Sequence, residues 1–453
     1  MATAGDIEKL SKSAESCVVA VYSVKSDSND SLASLNTPSP SPPPELDVRE
    51  FVPPDGGFIA WAQVVVGFLT NAVTWGFPTM FGVYQHYYIS TIGMDATAVP
   101  WIGSVQIFLA YFMCTVSGRL SDAGYAKSTL LAGATLAVLG TLATSFCTRF
   151  WQVMLAQGIC TGLGLGLTAT VSVPAISSYF QKKRSIALSI STTGTSVGGG
   201  IFPAIVQYLM PKIGFAWAVR CAALVAFVLL ANAYVLLKPR PVRRGRGEKE
   251  PMVDWAAFKE LPYNLLAVSS FLFYWAAYFA FYYFGTYAQD VLHLSYASSS
   301  SVLIISTASG IPMRVAAGFV ADYYLGTLNT YVLSIVFFGA AHFVWMGAST
   351  APALYAFAVL FGFGTGATQG IWPGTVVALT PDPSKVGVRF GMVCTIAAFA
   401  ALAGPPTASA ILQGSGGAYL GAQVWAAVVI LVAAAIMAGA RLKLSGRRLW
   451  VKV

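Results

Sequence analysis

Long apolar runs alternate with short polar gaps along most of this chain. Crossing about 30 Å of hydrocarbon takes roughly 20 apolar residues in a helix. Runs of that kind begin near Phe58, Ala98, Ser128, Phe150, Ser185 and Phe215. After a polar break they resume near Asn264, Ala297, Leu328, Pro352, Val386 and Ala418. Gly and Pro inside the runs do not demote them, because both are common in membrane helices. The pattern predicts an all-α membrane protein with twelve transmembrane helices in two pseudo-symmetric six-helix bundles. The expected parts are a disordered cytosolic tail (1–54), a first bundle (55–237), a cytosolic linker (238–262), a second bundle (263–440) and a basic cytosolic tail (441–453).

Composition agrees with this pattern. Of 453 residues, 56% are hydrophobic and 10% charged, against about 25% charged in a soluble domain. The mean hydropathy is +0.66. The net charge of +9 does not point to nucleic acid, because the basic residues gather in the gaps between apolar runs. With the N-terminus inside, the cytosolic gaps hold Arg119, Lys127, Lys182, Lys183, Arg184, Lys385 and Arg389. The linker adds Lys238, Arg240, Arg243, Arg244, Arg246 and Lys249, and the C-terminal tail Arg441, Lys443, Arg447, Arg448 and Lys452. The opposite side has little beyond Arg149 and Lys212. This one-sided bias sets orientation, with both termini cytosolic. The plasma membrane is the expected location, with the vacuolar membrane as the alternative.

The first 54 residues lack an early apolar core, and Thr37 to Pro44 is a Ser/Pro run, so no signal peptide is expected. Five of the six cysteines (Cys17, Cys114, Cys147, Cys160, Cys221, Cys394) fall in apolar runs, and none forms a CxxC or a Cys/His cluster. Neither a disulfide framework nor a metal site is indicated. Gly162-Leu163-Gly164-Leu165-Gly166 lies in an apolar helix with no strand before it, so it reads as close helix packing rather than a nucleotide loop. No GxxxxGK[ST], HExxH or Ser/His/Asp spacing is present. No cofactor and no enzymatic activity are expected, and ATP-driven pumping by this chain is excluded.

One element occurs twice. Gly118-Arg119-Leu120-Ser121-Asp122 follows the second run, and Gly318-Phe319-Val320-Ala321-Asp322 follows the eighth. A glycine lets helices approach closely. An aspartate at a helix end can hold a cation or the N-terminus of a helix in the adjacent bundle. Gly118, Asp122, Gly318, Asp322 and Arg184 are therefore candidate gating residues. Six runs and six runs with the same element in the same place imply duplication, as in transporters built from parallel repeats.

These repeats resemble the loop motif of the major facilitator superfamily, although Ala123 stands where a basic residue usually follows the first aspartate. Three further features resemble its monocarboxylate transporter family, in the fungal branch. They are Pro54-Asp55-Gly56-Gly57-Phe58 through Trp61, then Tyr179-Phe180-Gln181-Lys182-Lys183-Arg184-Ser185-Ile186-Ala187 with Gly194, and Gly404-Pro405-Pro406. The resemblance spans about 53–440. It implies the major facilitator fold, alternating access, and small organic anions as the commonest substrate class. Animal members that move lactate with a proton carry a lysine late in the first helix, where this chain has Thr79. They carry an aspartate four residues before the eighth-helix arginine, where this chain has Gly310. The arginine itself matches Arg314. Proton coupling and a lactate-like substrate therefore do not carry over from the resemblance; proton coupling stays open, and a protonated acid substrate could itself carry the proton.

Ionisable groups within a membrane are rare and usually functional. Eight of the eighteen acidic residues lie in the N-terminal tail and none of the others in mid-helix. Arg314 is the leading candidate to bind a carboxylate. Arg220 is expected to be structural and His342 peripheral. An aromatic stripe (Phe271, Tyr274, Trp275, Tyr278, Phe281, Tyr282) runs along the seventh helix and suits a ring-bearing or amphipathic substrate. By the resemblance, helices one, four, seven and ten line a central cavity, with Asn71, Thr74, Thr79, Gln157, Thr161, Thr365 and Gln369 as polar candidates. The partners implied are a small organic anion or carboxylated metabolite and membrane lipid, with no nucleic acid and no oligomer indicated. Export of a fungal secondary metabolite is the alternative to nutrient uptake, and a transporter-fold nutrient sensor is a more distant one.

Overall fold

The structure is a computed structural model, which describes residues 53–95, 97–240 and 251–446. Most of the N-terminal tail with Cys17, the linker residues Arg243, Arg244, Arg246 and Lys249, and Arg447, Arg448 and Lys452 lie outside the described residues. Among the described residues every regular element is helical.

Ten stretches are long and apolar enough to cross a membrane. Two of them, Pro100–Thr144 and Arg184–Leu236, have 45 and 53 residues. At 1.5 Å per residue these would be about 70 and 80 Å long, more than twice the hydrocarbon layer. Each is in fact two helices joined at a glycine with positive φ, Gly124 (φ 91) and Gly214 (φ 82), a conformation that favours glycine. The chain thus crosses twelve times. The helices are α1 (Phe58–Ser90), α2 (100–123), α3 (Ala126–Thr144), α4 (Phe150–Tyr179), α5 (184–213), α6 (215–236), α7 (Leu261–Asp290), α8 (Tyr296–Val320), α9 (Thr327–Met346), α10 (Ala351–Ala378), α11 (Val386–Gly414) and α12 (Leu420–Ser445). The duplication is visible locally: the turns after α2 and α8 each contain a glycine of positive φ, Gly124 (φ 91) and Gly326 (φ 87).

The first six helices and the last six form two bundles that meet where α2 packs on α11 and α5 packs on α8 and α10. Large apolar side chains point outward around both, among them Leu139, Leu155, Leu224, Phe227, Leu333 and Val432. A belt of this kind needs lipid as its solvent. Within the first bundle, Gly164 of the Gly-rich stretch lies on the backbone of Gly133 and Ala137 in α3, while Gly162 and Gly166 lie on α2. Its role is close packing.

The two signature segments that precede α1 and α5 meet. The Asp55 carboxylate accepts backbone N–H bonds from Gln181 (2.6 Å), Lys182 (2.7 Å) and Lys183 (3.5 Å). The Asp55 N–H donates to the Tyr179 carbonyl (3.0 Å), and Trp61 packs edge-on against Phe180 at 5.2 Å. The segment before α7 makes the corresponding contact in the second bundle, with different chemistry. Asp254 and Glu260 hold Arg389, at 2.9 Å and 2.6 Å, and Lys385 lies 3.7 Å from Asp254.

Candidate functional site

Arg314 sits in α8, 5% exposed, facing the other bundle. A column of glycines puts it there. A Cβ on Gly366 would overlap the Gly310 backbone, and one on Gly370 would come within 2.9 Å of the Arg314 Cα, so α8 and α10 touch backbone to backbone. That contact brings Gln369 of α10 into reach, and the Arg314 Nη2 donates to its Oε1 at 2.8 Å. Tyr274 of α7 and Tyr111 of α2 lie near the guanidinium. The Arg314 Nε is buried without an acceptor. No carboxylate among the described residues forms an ion pair with Arg314. A buried cationic donor left unbonded is costly, by about 1–3 kcal/mol or more.

The surrounding cavity has a volume of about 80 Å³ and lies between the bundles. Trp75 and Thr79 line it from α1, Thr195 and Ser196 from α5, Phe281 from α7, and Thr365 and Gln369 from α10. Of the residues named from the sequence, Arg314, Gly310, Thr79, Phe281, Thr365 and Gln369 come together here. Tyr274 and Tyr278 border the site through Tyr111, whose hydroxyl receives the Tyr278 hydroxyl at 3.2 Å. Tyr282 is a half-exposed neighbour of Tyr278 outside the lining. Asn71 is off the lining because α5 covers it, and its Nδ2 donates to the Gly67 and Ser191 carbonyls (2.8 and 3.4 Å). Gln157 is off the lining because its Oε1 accepts the Tyr88 hydroxyl at 2.7 Å, tying α4 to α1. Thr74 and Thr161 are buried on Thr168 and the Ala156 carbonyl. His342 is fully buried, with Nδ1 on the Phe338 carbonyl (2.8 Å), among the rings of Phe338, Phe357 and Phe361. Arg220 bonds Ser145 and lies over the rings of Phe146 and Trp217.

Tyr111 and Trp75 were not singled out in the sequence. Tyr111 lies seven residues before Gly118, on the helix face that meets α11, and Trp75 lies one turn before Thr79. Face sharing with residues already singled out was the available signal for both.

At one end of the molecule the bundles are latched twice. The Asp122 carboxylate accepts from the N–H groups of Gly387 (2.9 Å) and Val388 (2.7 Å) at the start of α11. The Asp322 carboxylate accepts from Ser185 (3.1 Å) and Ile186 (2.8 Å) at the start of α5, beside Arg184. Each aspartate thus caps the positive end of a helix in the opposite bundle. Gly118 fits against the Gly387 carbonyl, and Gly318 against Ser189 and Ile186, with no room for a Cβ at either.

Comparison with known proteins agrees with this architecture. A sequence model of the Major Facilitator Superfamily matches residues 62–329. An MFS-type transporter of Gibberella zeae is 34% identical over 394 residues, covering 86% of this chain and 88% of that one. The aspyridones efflux protein apdF of Emericella nidulans is 32% identical over 394 residues, covering 86% and 79%. Among solved structures, the human organic anion transporter MFSD10 (TETRAN) superposes with a TM-score of 0.65 at 16% identity, over 84% of this chain and 99% of that one. The transporter FucP in its outward conformation gives 0.66 at 12% identity, over 84% and 98%. The relatives are named as transporters rather than enzymes. Twelve crossings in two latched bundles, with a cavity between them, are therefore the fold of a transporter, and the chain belongs to the major facilitator superfamily.

Proposed function

We propose that this transporter exports an anionic metabolite, a carboxylated molecule with a flat or apolar body, by alternating access, and that it lies in the monocarboxylate-porter-like branch of its superfamily. The observation that carries this reading is Arg314, a buried guanidinium with no counter-ion among the described residues and an unbonded Nε. Its planar fork suits a carboxylate held on two N–H groups. Gln369 and Thr79 complete the polar contacts, Trp75 and Phe281 offer ring faces to the body of the substrate, and Tyr274 and Tyr278 back the site through Tyr111. Asn71, Gln157 and Tyr282 fix the helices around it. Export is supported by the relative named for efflux of aspyridones.

In this reading residues 55–237 and 263–440 rock as two bodies, and the Asp122 and Asp322 latches close the cytosolic side. Gly118 and Gly318 allow the closure and Arg184 reinforces it. Both termini are then cytosolic, and the plasma membrane is the working location. The test is flux of labelled organic acids in proteoliposomes. Arg314→Ala should lower flux at least about 30-fold, the size expected from truncating one partner of a buried charged contact, with an unchanged elution profile in detergent. Wild-type flux in that variant would remove Arg314 from the site.

A further inference from the structure

The energy source can be read from the charges around Arg314. Its neighbours across the packed elements are Tyr111 of α2, Tyr274 of α7 and Gln369 of α10. Thr79 and Ser196 line the cavity from α1 and α5. None is charged, and phenols with an ordinary pKa of about 10 stay neutral in a cell. His342 of α9 is turned into phenylalanine rings and is not part of the lining. Every described acidic residue, from Asp55 to Asp382, lies at a helix end or in a loop. Position 310, one turn before Arg314, cannot readily hold an acid either. A Cβ on Gly310 would come within 3.0 Å of the Gly362 carbonyl, against the α10 backbone. The cavity therefore contains a permanent cation, since arginine does not deprotonate in proteins, and among the described residues no group that exchanges a proton.

We propose that transport through this site carries one net charge per substrate and is driven by the membrane potential, without a proton bound by the protein. The proposal rests on the reading of Arg314 as the anion site. The empty site has charge +1. With a monoanion bound it has charge 0. One negative charge crosses per turnover, and the field acts on the return of the empty, cationic site. The loaded, neutral movement is indifferent to the field, and with the cell interior negative the return of the empty site inward favours export. A potential of 100 mV shifts the equilibrium distribution of a monoanion by about 50-fold.

The experiment uses the full chain in proteoliposomes loaded with labelled phenylpyruvate, which has a flat ring and a single carboxylate. Potassium gradients with valinomycin set the potential independently of the pH gradient. Wild-type efflux should rise at least about fivefold with 100 mV inside negative and fall with inside positive. A pH gradient at zero potential should change it less than twofold. Gln369→Glu places a carboxylate of the same shape against Arg314, so anion binding then requires that carboxylate to take up a proton. In this variant efflux should lose its response to potential and follow the pH gradient. Arg314-dependent efflux in the wild type that follows the pH gradient and ignores the potential overturns the proposal and leaves the anion site standing. Efflux unaffected by Arg314→Ala overturns both.

Discussion

The segment entering each bundle clamps the approach to that bundle's fifth helix, at the loop before it in the first bundle and at its first turn in the second, but the two clamps differ in kind. In the first bundle a single carboxylate, Asp55, closes on backbone N–H groups of Gln181, Lys182 and Lys183. In the second, Asp254 and Glu260 close on the side chain of Arg389, which is 4% exposed. The same topological problem has been solved once by backbone dipoles and once by ion pairing. A backbone nest tolerates changes in the side chains of the loop. An ion pair on a buried guanidinium does not, because without it Asp254, 9% exposed on its side chain, keeps only Lys385 at 3.7 Å among the described residues.

The largest expected effect follows from that difference. Arg389→Met should destabilise the protein by about 3–5 kcal/mol, the usual result of removing one partner of a buried pair. Glu260→Gln should lose less than about 1 kcal/mol, since Glu260 is 38% exposed on its side chain. Thermal unfolding in detergent separates the two, and equal losses would show that the second clamp is not a buried-charge device. Asp55→Ala comes next, with a loss of about 2 kcal/mol for hydrogen bonds to a charged acceptor. Substituting Lys182 or Lys183 by Ala should change stability by less than about 0.5 kcal/mol, and a larger loss there would mean that the first clamp also depends on side chains. The interbundle latches are read in turnover rather than in stability. Asp122→Asn and Asp322→Asn each remove a charge from a helix N-terminus, worth about 1 kcal/mol, or roughly a fivefold change in the balance between closed and open forms. Turnover should fall while substrate affinity stays within about twofold. Unchanged turnover in both variants would rule out a gating role.

The twelve crossings were legible because lipid as a solvent imposes a long, crude pattern, and the glycine–aspartate repeat was legible because it occurs twice. The positive-φ turns at Gly124 and Gly326 were not, since a glycine among many carries no mark of its backbone angle. Arg314 and Gln369 were readable as candidates, but their contact was not. It depends on how closely Gly366 and Gly370 let α10 approach α8. Asn71 has the residue type of a lining group, but whether α5 covers it is decided by the neighbouring helix. The Asp254–Arg389–Glu260 clamp lay inside a segment dominated by basic residues, which drew attention to orientation. The informative comparison was the position of Asp254 relative to Asp55, each just ahead of the first helix of its bundle.

The glycine column between α8 and α10 has a mechanical consequence. Two helices in backbone contact cannot slide without collision, so Arg314 and Gln369 travel as one rigid piece. In a carrier whose halves rock, whatever alters around the guanidinium must then come from across the seam: Tyr111, Trp75 and Thr79 arriving or withdrawing. On the proposed reading of Arg314, choice of cargo and the timing of its release then fall to opposite halves, and substitutions in the two should leave different kinetic fingerprints.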